Sequence, residues 1–311
     1  MYGYIIRRLL MAIPTLIGVS IIIFGLVRLL PGDPAVALAG MHATPEYREQ
    51  VREDMALDES LPKQYYIFIS NLAQGDLGDS AYYRRPVSEL LSERFPNTLK
   101  LTAASMLVAT LLGITTGIIS ATKRYSLFDN FSMLVALFGV AMPVFWLALM
   151  AQLLFSVHLG WLPTTGIGTI QHLILPALTL GAASTGLITR ITRSSMLEVL
   201  QQDYIRTARA KGLAERVVTY KHALKNALIP VITIMGLQFG ILLGGAVITE
   251  TVFAWPGIGR LLVDSILTRD YPVVQGSVLL LTFSFVIINL VVDILYSVLD
   301  PRIRYDSGKE A

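Results

Sequence analysis

This sequence predicts an all-α integral membrane protein with six transmembrane helices, and three observations lead there. Only 15% of its 311 residues are charged while 54% are hydrophobic, against about 25% charged in a soluble domain. With a mean hydropathy of +0.61, it lacks the polar surface of a soluble enzyme with a large core. Five long charge-free stretches divide the chain, one of them long enough for two crossings. The basic residues gather in alternate connecting segments. The net charge of +3 says little beside that distribution. There is no cysteine, which excludes disulfides and thiolate metal sites.

Leu9–Val27 is uncharged and long enough to span as a helix. Arg7 and Arg8 precede it, as in a secretory signal, and Ala37-Leu38-Ala39 resembles a cleavage site. The apolar run is longer than a signal core, however, and Pro31–Pro34 (PGDP) separates it from that site, so we read it as a retained first helix. From Arg28 to Lys100 the chain is polar. Thr44 before Pro45 predicts a capped helix to about Leu57, and Leu61-Pro62 starts another through QYYIFISNLAQ. The turn-rich GDLGDS (Gly75–Ser80) and Arg84-Arg85-Pro86 follow. The segment reads as a small folded loop rather than an independent domain.

Leu101–Thr122 fits one span, and residues 130–189 contain no Asp, Glu, Lys or Arg and fit two. GWLPTTGIGTIQH (Gly160–His172), rich in Gly, Pro and Thr, is the turn between those two. Ala227–Thr249 and Tyr271–Val292 complete six helices. Residues 1–97 are thus the first helix with its external segment, 98–300 a five-helix core, and 301–311 a tail.

An even count puts both termini on one side, and the basic residues identify it as the cytoplasm. That side then carries Arg7, Arg8, Lys123, Arg124, the Arg190–Lys225 group, Arg302, Arg304 and Lys309, while the 160–172 turn outside carries no charge.

Gly236, Gly240 and Gly244 recur every fourth residue on the fifth helix, and Gly113 and Gly117 do so on the second. Such spacing lets another backbone approach closely. The partner is either a helix of the same subunit or, alternatively, a second membrane subunit or a lined path. Pro14, Pro143 and Pro176 lie in or near spans and predict kinks. Asp293 reads as the only carboxylate near a span's interior, in reach of the interface and structural in role.

No phosphate loop occurs, because Gly308-Lys309 is followed by Glu310 and lacks the upstream glycine. No H-E-x-x-H is present, and His42, His158, His172 and His222 have no ligand spacing. The chain therefore offers no catalytic residues, no metal or cofactor site of its own, and no visible energy source.

Between two apolar runs sits Asp203–Asn226, DYIRTARAKGLAERVVTYKHALKN, with six cationic residues against Asp203 and Glu215. Asp203 is the expected N-cap of a helix over Tyr204–Lys211, and Gly212 is placed to end it in the left-handed conformation. A second helix should start at about Ala214 and lead into the next span. A helix, a glycine hinge and a helix between spans form a docking surface for a soluble partner. The plainer reading is that these cations enforce topology and touch anionic lipid headgroups.

Tyr204-Ile205-Arg206-Thr207-Ala208-Arg209-Ala210-Lys211-Gly212 resembles the signature loop of permease subunits in bacterial ATP-binding-cassette importers. The general pattern there is Glu-Ala-Ala, three residues, Gly, then Ile-x-Leu-Pro. Here Arg206-Thr207-Ala208 stands in the first part, Gly212 matches, and His222-x-Leu224-Lys225 replaces the last. YIRTARAKG followed by HALKNALIP is similar to the peptide-importer branch. The resemblance extends over IIRRLLMAIPTLIGVS at the start, PGDP, GDLGDS and RRPV at 84–87. It continues through TRSSMLEVL at 192–200, ETVFAWPGIGR at 250–260, RDYPVVQG at 269–276 and NLVVDILYSVLDPRIRY at 289–305.

The resemblance implies the type I importer permease fold in a bacterial inner membrane, and the first of two permeases for dipeptides, oligopeptides or glutathione. It implies a second related permease, one or two cytoplasmic ATPases that use ATP and Mg, and an external substrate-binding protein. Tyr204–Gly212 would seat a coupling helix on the ATPase, with ATP closure moving the loop as a lever. Arg206, Arg209, Lys211 and Arg216 would pair with acidic groups there. Thr207 and Ala210 lie in the same helix, and Tyr204 and Ala208, spaced i and i+4, would enter an apolar groove. Short peptides are the first expectation for substrate, glutathione the second and nickel chelates the third. A secondary transporter would need midplane ion sites, which the sequence does not show. A DNA-binding helix-turn-helix is disfavoured because the second helix runs straight into a span, so no nucleic-acid partner is expected.

Overall fold

The computed structural model describes residues 2–29, 35, 43–54, 56–80 and 82–299. The PGDP stretch, Ala37–Ala39, the 301–311 tail and the side chains of Arg7, Arg8 and Asp293 lie outside the described residues. The chain begins with α1 (Tyr2–Leu29), α2 (Pro45–Asp54) and α3 (Leu61–Ala73). A two-stranded antiparallel hairpin follows, β1 (Asp79–Ser80) against β2 (Arg85–Pro86), with Asp79 opposite Pro86. Then come α4 (Val87–Thr122), α5 (Leu127–Ala141), α6 (Val144–His158) and α7 (Ile170–Leu200). The series ends with α8 (Asp203–Ala210), α9 (Glu215–Val252), α10 (Ile258–Leu267) and α11 (Tyr271–Leu299).

Four of these are long and apolar enough to cross a membrane, namely α4, α7, α9 and the Tyr271–Val292 part of α11. The pair α5 and α6 supplies a fifth, bent by 110°. With Ile13–Leu26 of α1, a shorter apolar stretch, the six hydrophobic helices of the sequence are all helical. Two details differ from expectation. The 130–189 stretch breaks twice, at the expected turn and also at Met142-Pro143. A proline there has no N–H for the α-helical ladder, and Met142 turns extended at ψ 135°. Second, α4 starts at Val87 rather than near Leu101 and runs through residues 97 and 98 without a break. Its first turns are buried by Val87, Leu90 and Leu91 against Ile258, Leu261 and Val273, so charge content alone misplaced the start.

Three long helices form the centre. Leu101, Met106 and Ala109 of α4 meet Leu180 and Ile188 of α7 and Val231, Leu242 and Ala246 of α9. Small residues bring α4 and α7 together: a Cβ on Gly113 would lie 2.7 Å from Ile188 Cγ2, and one on Gly117 2.5 Å from Thr192 Cβ. At the hairpin end, α3 is tied to α1 by Ser20 Oγ and Tyr65 Oη at 2.8 Å and by the edge-on rings of Phe24 and Tyr65.

Candidate functional site at the 203–226 loop

The loop packs on the ends of α4 and α7. Ile205, fully buried, and Ala208, 7% exposed, insert among Ile118, Ala121, Met196, Val218, Ala223 and Ala227. An eight-residue helix cannot stand alone in water, so these two side chains are what hold α8 in place. The helix starts one residue earlier than predicted. Gln202 is the N-cap and Asp203 sits in the first turn, where its charge complements the helix dipole rather than capping by a side-chain hydrogen bond. Gly212 has φ +77° and its N–H donates to Arg209 O at 2.9 Å, the helix-ending role expected of it.

The predicted residues therefore divide. Tyr204, Arg206, Thr207, Arg209, Ala210, Lys211 and Gly212 are exposed, whereas Ala208 faces inward. The expected shared face of Tyr204 and Ala208 is thus corrected: Ala208 pairs with Ile205 at i and i+3 beneath the helix, because that pair meets the apolar ends of α4 and α7. Two links close the loop on itself. Tyr204 Oη accepts from Asn226 Nδ2 at 2.7 Å, and the Arg209 guanidinium donates to both Glu215 oxygens, the shortest contact 2.6 Å. Glu215 and hydrogen bonding raise Arg209 above its ordinary range. Arg206, by contrast, reaches only the exposed Asp203 at 3.3 Å, and Lys211 and Arg216 have no ion pair among the described residues. Lys225 is exposed, at the step after a stretch wound at π pitch, Val218–Ala223.

The glycines expected at packing or pathway positions also divide. Gly113 and Gly117 face α7, Gly236 faces Val292 of α11, and a Cβ built on Gly240 would lie 2.8 Å from the Phe285 ring. Among the described residues, nothing lies within 4 Å of a Cβ built on Gly244.

Sequence reasoning missed three buried carboxylates. The largest network lies in ETVFAWPGIGR. Glu250 is fully buried at the end of α9. It accepts from Thr98 Oγ1 at 2.6 Å, from Arg260 N at 3.0 Å and from the Gly259 N–H. Thr98 in turn accepts from Ile258 N at 2.8 Å, and Trp255 Nε1 donates to Asn97 O at 2.9 Å. The first turn of α10 is thereby capped from α9, and the pair is nailed to α4. Gly257 is required because a side chain there would overlap the Glu250 carboxylate. At the other end of the bundle, Asp129 makes a two-pronged pair with Arg193 at 2.6 and 2.7 Å. Asp270 accepts from Ser80 Oγ at 2.5 Å and Tyr82 N at 3.3 Å, joining GDLGDS to RDYPVVQG. Burial raises Asp270 above the usual carboxylate range. Asp293 is consequently not the only carboxylate inside a helical span. Glu250 and Asp129 stand at the edges of charge-free runs and read as boundaries; both are buried within helix-terminal turns, Asp129 in the first turn of α5 and Glu250 in the last turn of α9. The signal that could have found them is the donor-rich company: Thr98, and a glycine-punctuated helix start after Glu250.

The described residues thus combine helices long and apolar enough to cross a membrane, a basic loop in which Lys211 and Arg216 have no ion pair, and a sealed turn at the other end. The family model described as binding-protein-dependent transport system inner membrane component matches residues 113–305, and that of the N-terminal membrane component of such systems matches residues 1–102. This chain belongs to that family. It is 52% identical over 305 residues to the glutathione transport system permease protein GsiC of Pectobacterium atrosepticum, covering 98% of this chain and 100% of that one. Against the same-named protein of Escherichia coli strain K12 the identity is 51% over the same shares. Among solved structures, the inward-facing MetNI methionine ABC transporter matches with a TM-score of 0.58 at 19% identity, covering 68% of this chain and 97% of that one. An amino acid ABC transporter with histidines matches with a TM-score of 0.52 at 15% identity, covering 69% and 94%. These two share the fold. The chain is a permease of an ABC importer.

Proposed function

We propose that this permease forms half of the translocation path for short peptides, with glutathione the favoured substrate, and couples that path to ATP hydrolysis through Tyr204–Gly212. The near full-length identity with glutathione permeases carries the substrate reading. The partners are a second related permease, one or two cytoplasmic ATPases and an external binding protein. The chain itself binds no nucleotide: ATP and Mg belong to the ATPases. Both termini and the 203–226 loop are cytoplasmic, which the distribution of Lys and Arg supports.

The loop works as a lever because of how it is held. Ile205 and Ala208 anchor α8 to the ends of α4 and α7, so a push on the helix is passed to both spans. Arg206 and Lys211 meet acidic groups of the ATPase, and Tyr204 supplies an apolar contact. Arg209 holds α8 to Glu215 at the start of α9, so a third span moves with it. ATP closure of the ATPase dimer then switches the bundle between inward- and outward-facing, and hydrolysis resets it.

The test is uptake by the full complex in proteoliposomes with its binding protein. Labelled glutathione should accumulate only with ATP inside the ATPase compartment. Arg209→Glu or Gly212→Val should abolish uptake while membrane insertion stays intact. Normal transport by both variants sinks the coupling assignment. Uptake of a dipeptide but not glutathione removes the glutathione reading alone, and uptake that persists without ATP on an ion gradient points to a secondary transporter.

A further inference from the structure

Beneath the 203–226 loop lies a cavity of about 450 Å³. Its floor is apolar, made by Ile118 and Ala121 at the end of α4 and Leu197 and Leu200 at the end of α7. Its rim carries three guanidinium groups, those of Arg124, Arg209 and Arg216. Glu215 is the single acid in the lining, and both of its oxygens already accept from Arg209. Arg124 is held over the Tyr125 ring at 4.4 Å and donates to that hydroxyl at 2.6 Å, which aims it without neutralising it. Among the described residues neither Arg124 nor Arg216 has an ion pair, and Asp129, the acid near Arg124, is already held by both prongs of Arg193.

The position of the cavity narrows what fills it. It straddles Thr122, where the charge-free stretch of α4 gives way to Lys123 and Arg124. An occupant must therefore be apolar on one side and anionic on the other, at the depth where a span leaves the hydrocarbon. We propose that this cavity binds one anionic phospholipid, with its phosphate between Arg124 and Arg216 and its glycerol and first methylenes on the Ile118 and Leu197 floor. Guanidinium groups hold phosphate by paired N–H donors. A bound headgroup would also bridge the α4–α5 connection to α9 and compete with Glu215 for Arg209. Lipid charge would thereby set how firmly the loop is held to α9. This inference rests on the coupling role proposed above for the loop.

Native mass spectrometry of the purified complex, titrated with phosphatidylglycerol, phosphatidylcholine or glycerol phosphate, tests it. Phosphatidylglycerol should be retained by the wild-type chain in preference to phosphatidylcholine. Each Arg→Gln change should weaken retention about fivefold and the Arg124→Gln, Arg216→Gln double variant about thirtyfold, from the usual worth of a cationic contact with an anionic membrane. The corresponding Arg→Lys double variant keeps the charge and should retain most of the binding, which separates lost charge from a damaged fold. Equal retention by the wild type and the Gln double variant would overturn the site. Equal binding of glycerol phosphate would overturn the lipid in favour of a free anion, and protection of both arginines only when the ATPase is bound would assign them to that protein. Uptake is read in parallel: ATP-dependent uptake with no arginine-dependent lipid binding removes only this inference, while ATP-independent uptake removes the coupling role and leaves lipid binding standing.

Discussion

The 203–212 segment and the 250–260 turn are both short helix-bearing connections between spans, and they treat their polar groups in opposite ways. In the first, only Ile205 and Ala208 are buried and most charges face out, two of them with weak partners or none. In the second, a carboxylate with no exposure collects a hydroxyl and two backbone N–H donors, and its neighbours Asn97, Trp255 and Arg260 complete their hydrogen bonds inside the chain. About 30 Å of α4 separates the two, from Thr98 to Ile118. A buried polar group is costly unless satisfied, so the turn is built to stay closed. The loop keeps its donors available to something else. Under the coupling role proposed above, the contrast would let one end of the bundle be pushed while the other holds its shape.

The most damaging way to break the contrast is Glu250→Ala. It leaves the Thr98 hydroxyl and the Gly259 and Arg260 amides buried without an acceptor, at a cost of at least about 3 kcal/mol. The thermal midpoint of the purified complex should fall accordingly. Arg206→Ala, at a side chain 73% exposed, should leave that midpoint within about 0.5 kcal/mol of wild type in stability while uptake drops. Equal thermal effects for the two would erase the distinction.

A second comparison lies within the glycines. Gly117→Val forces a branched side chain against Thr192 and the Thr189 carbonyl, 2.8 Å from a built Cβ, and should cost about 1–3 kcal/mol. Gly244→Ala meets open space and removes a glycine from a helix, so it should be neutral or stabilising by up to about 1 kcal/mol. If Gly244→Ala nevertheless abolishes uptake, Gly244 faces the path or the second permease rather than the interior of this subunit.

The smallest effect concerns pH. Burial raises Asp270 above its ordinary value of 3.8, so the folded chain holds this proton to higher pH than the unfolded chain. Stability is then greatest below 3.8 and declines as pH rises, until the carboxyl ionises within the fold. Asp270→Asn keeps an acceptor for Ser80 and Tyr82 and should flatten that decline above pH 3.8, followed by thermal unfolding. An unchanged slope would assign the pH dependence to another group.

Much of this organisation was legible in the sequence. Charge-free runs located the spans, because a membrane tolerates few ionised side chains on its helices. Gly212 announced the end of α8, because its conformation is cheap only for glycine. The direction of α8 was not legible: Tyr204 with Ala208 and Ile205 with Ala208 are equally good helical faces, and what lies beneath decides between them. Nor was the depth of Glu250 and Asp129, since a carboxylate that ends a hydrophobic run looks like a boundary until its donors arrive from Thr98 or Arg193, distant in the chain. The 110° bend at Pro143 was visible as a kink only, because a proline fixes where a helix yields and the packing of α5 and α6 on α7 fixes how far.

In the coupling role proposed above, the exposed face of α8 is the ATPase contact. The chain has no cysteine, so a single one at Arg206→Cys can be followed alone by a membrane-impermeant maleimide in oriented vesicles. Labelling should occur only when the cytoplasmic face is exposed, and binding of the ATPase should protect it, while Ile205→Cys stays unreactive. Labelling of position 206 from the external face, or full reactivity there in the assembled complex, would contradict the account.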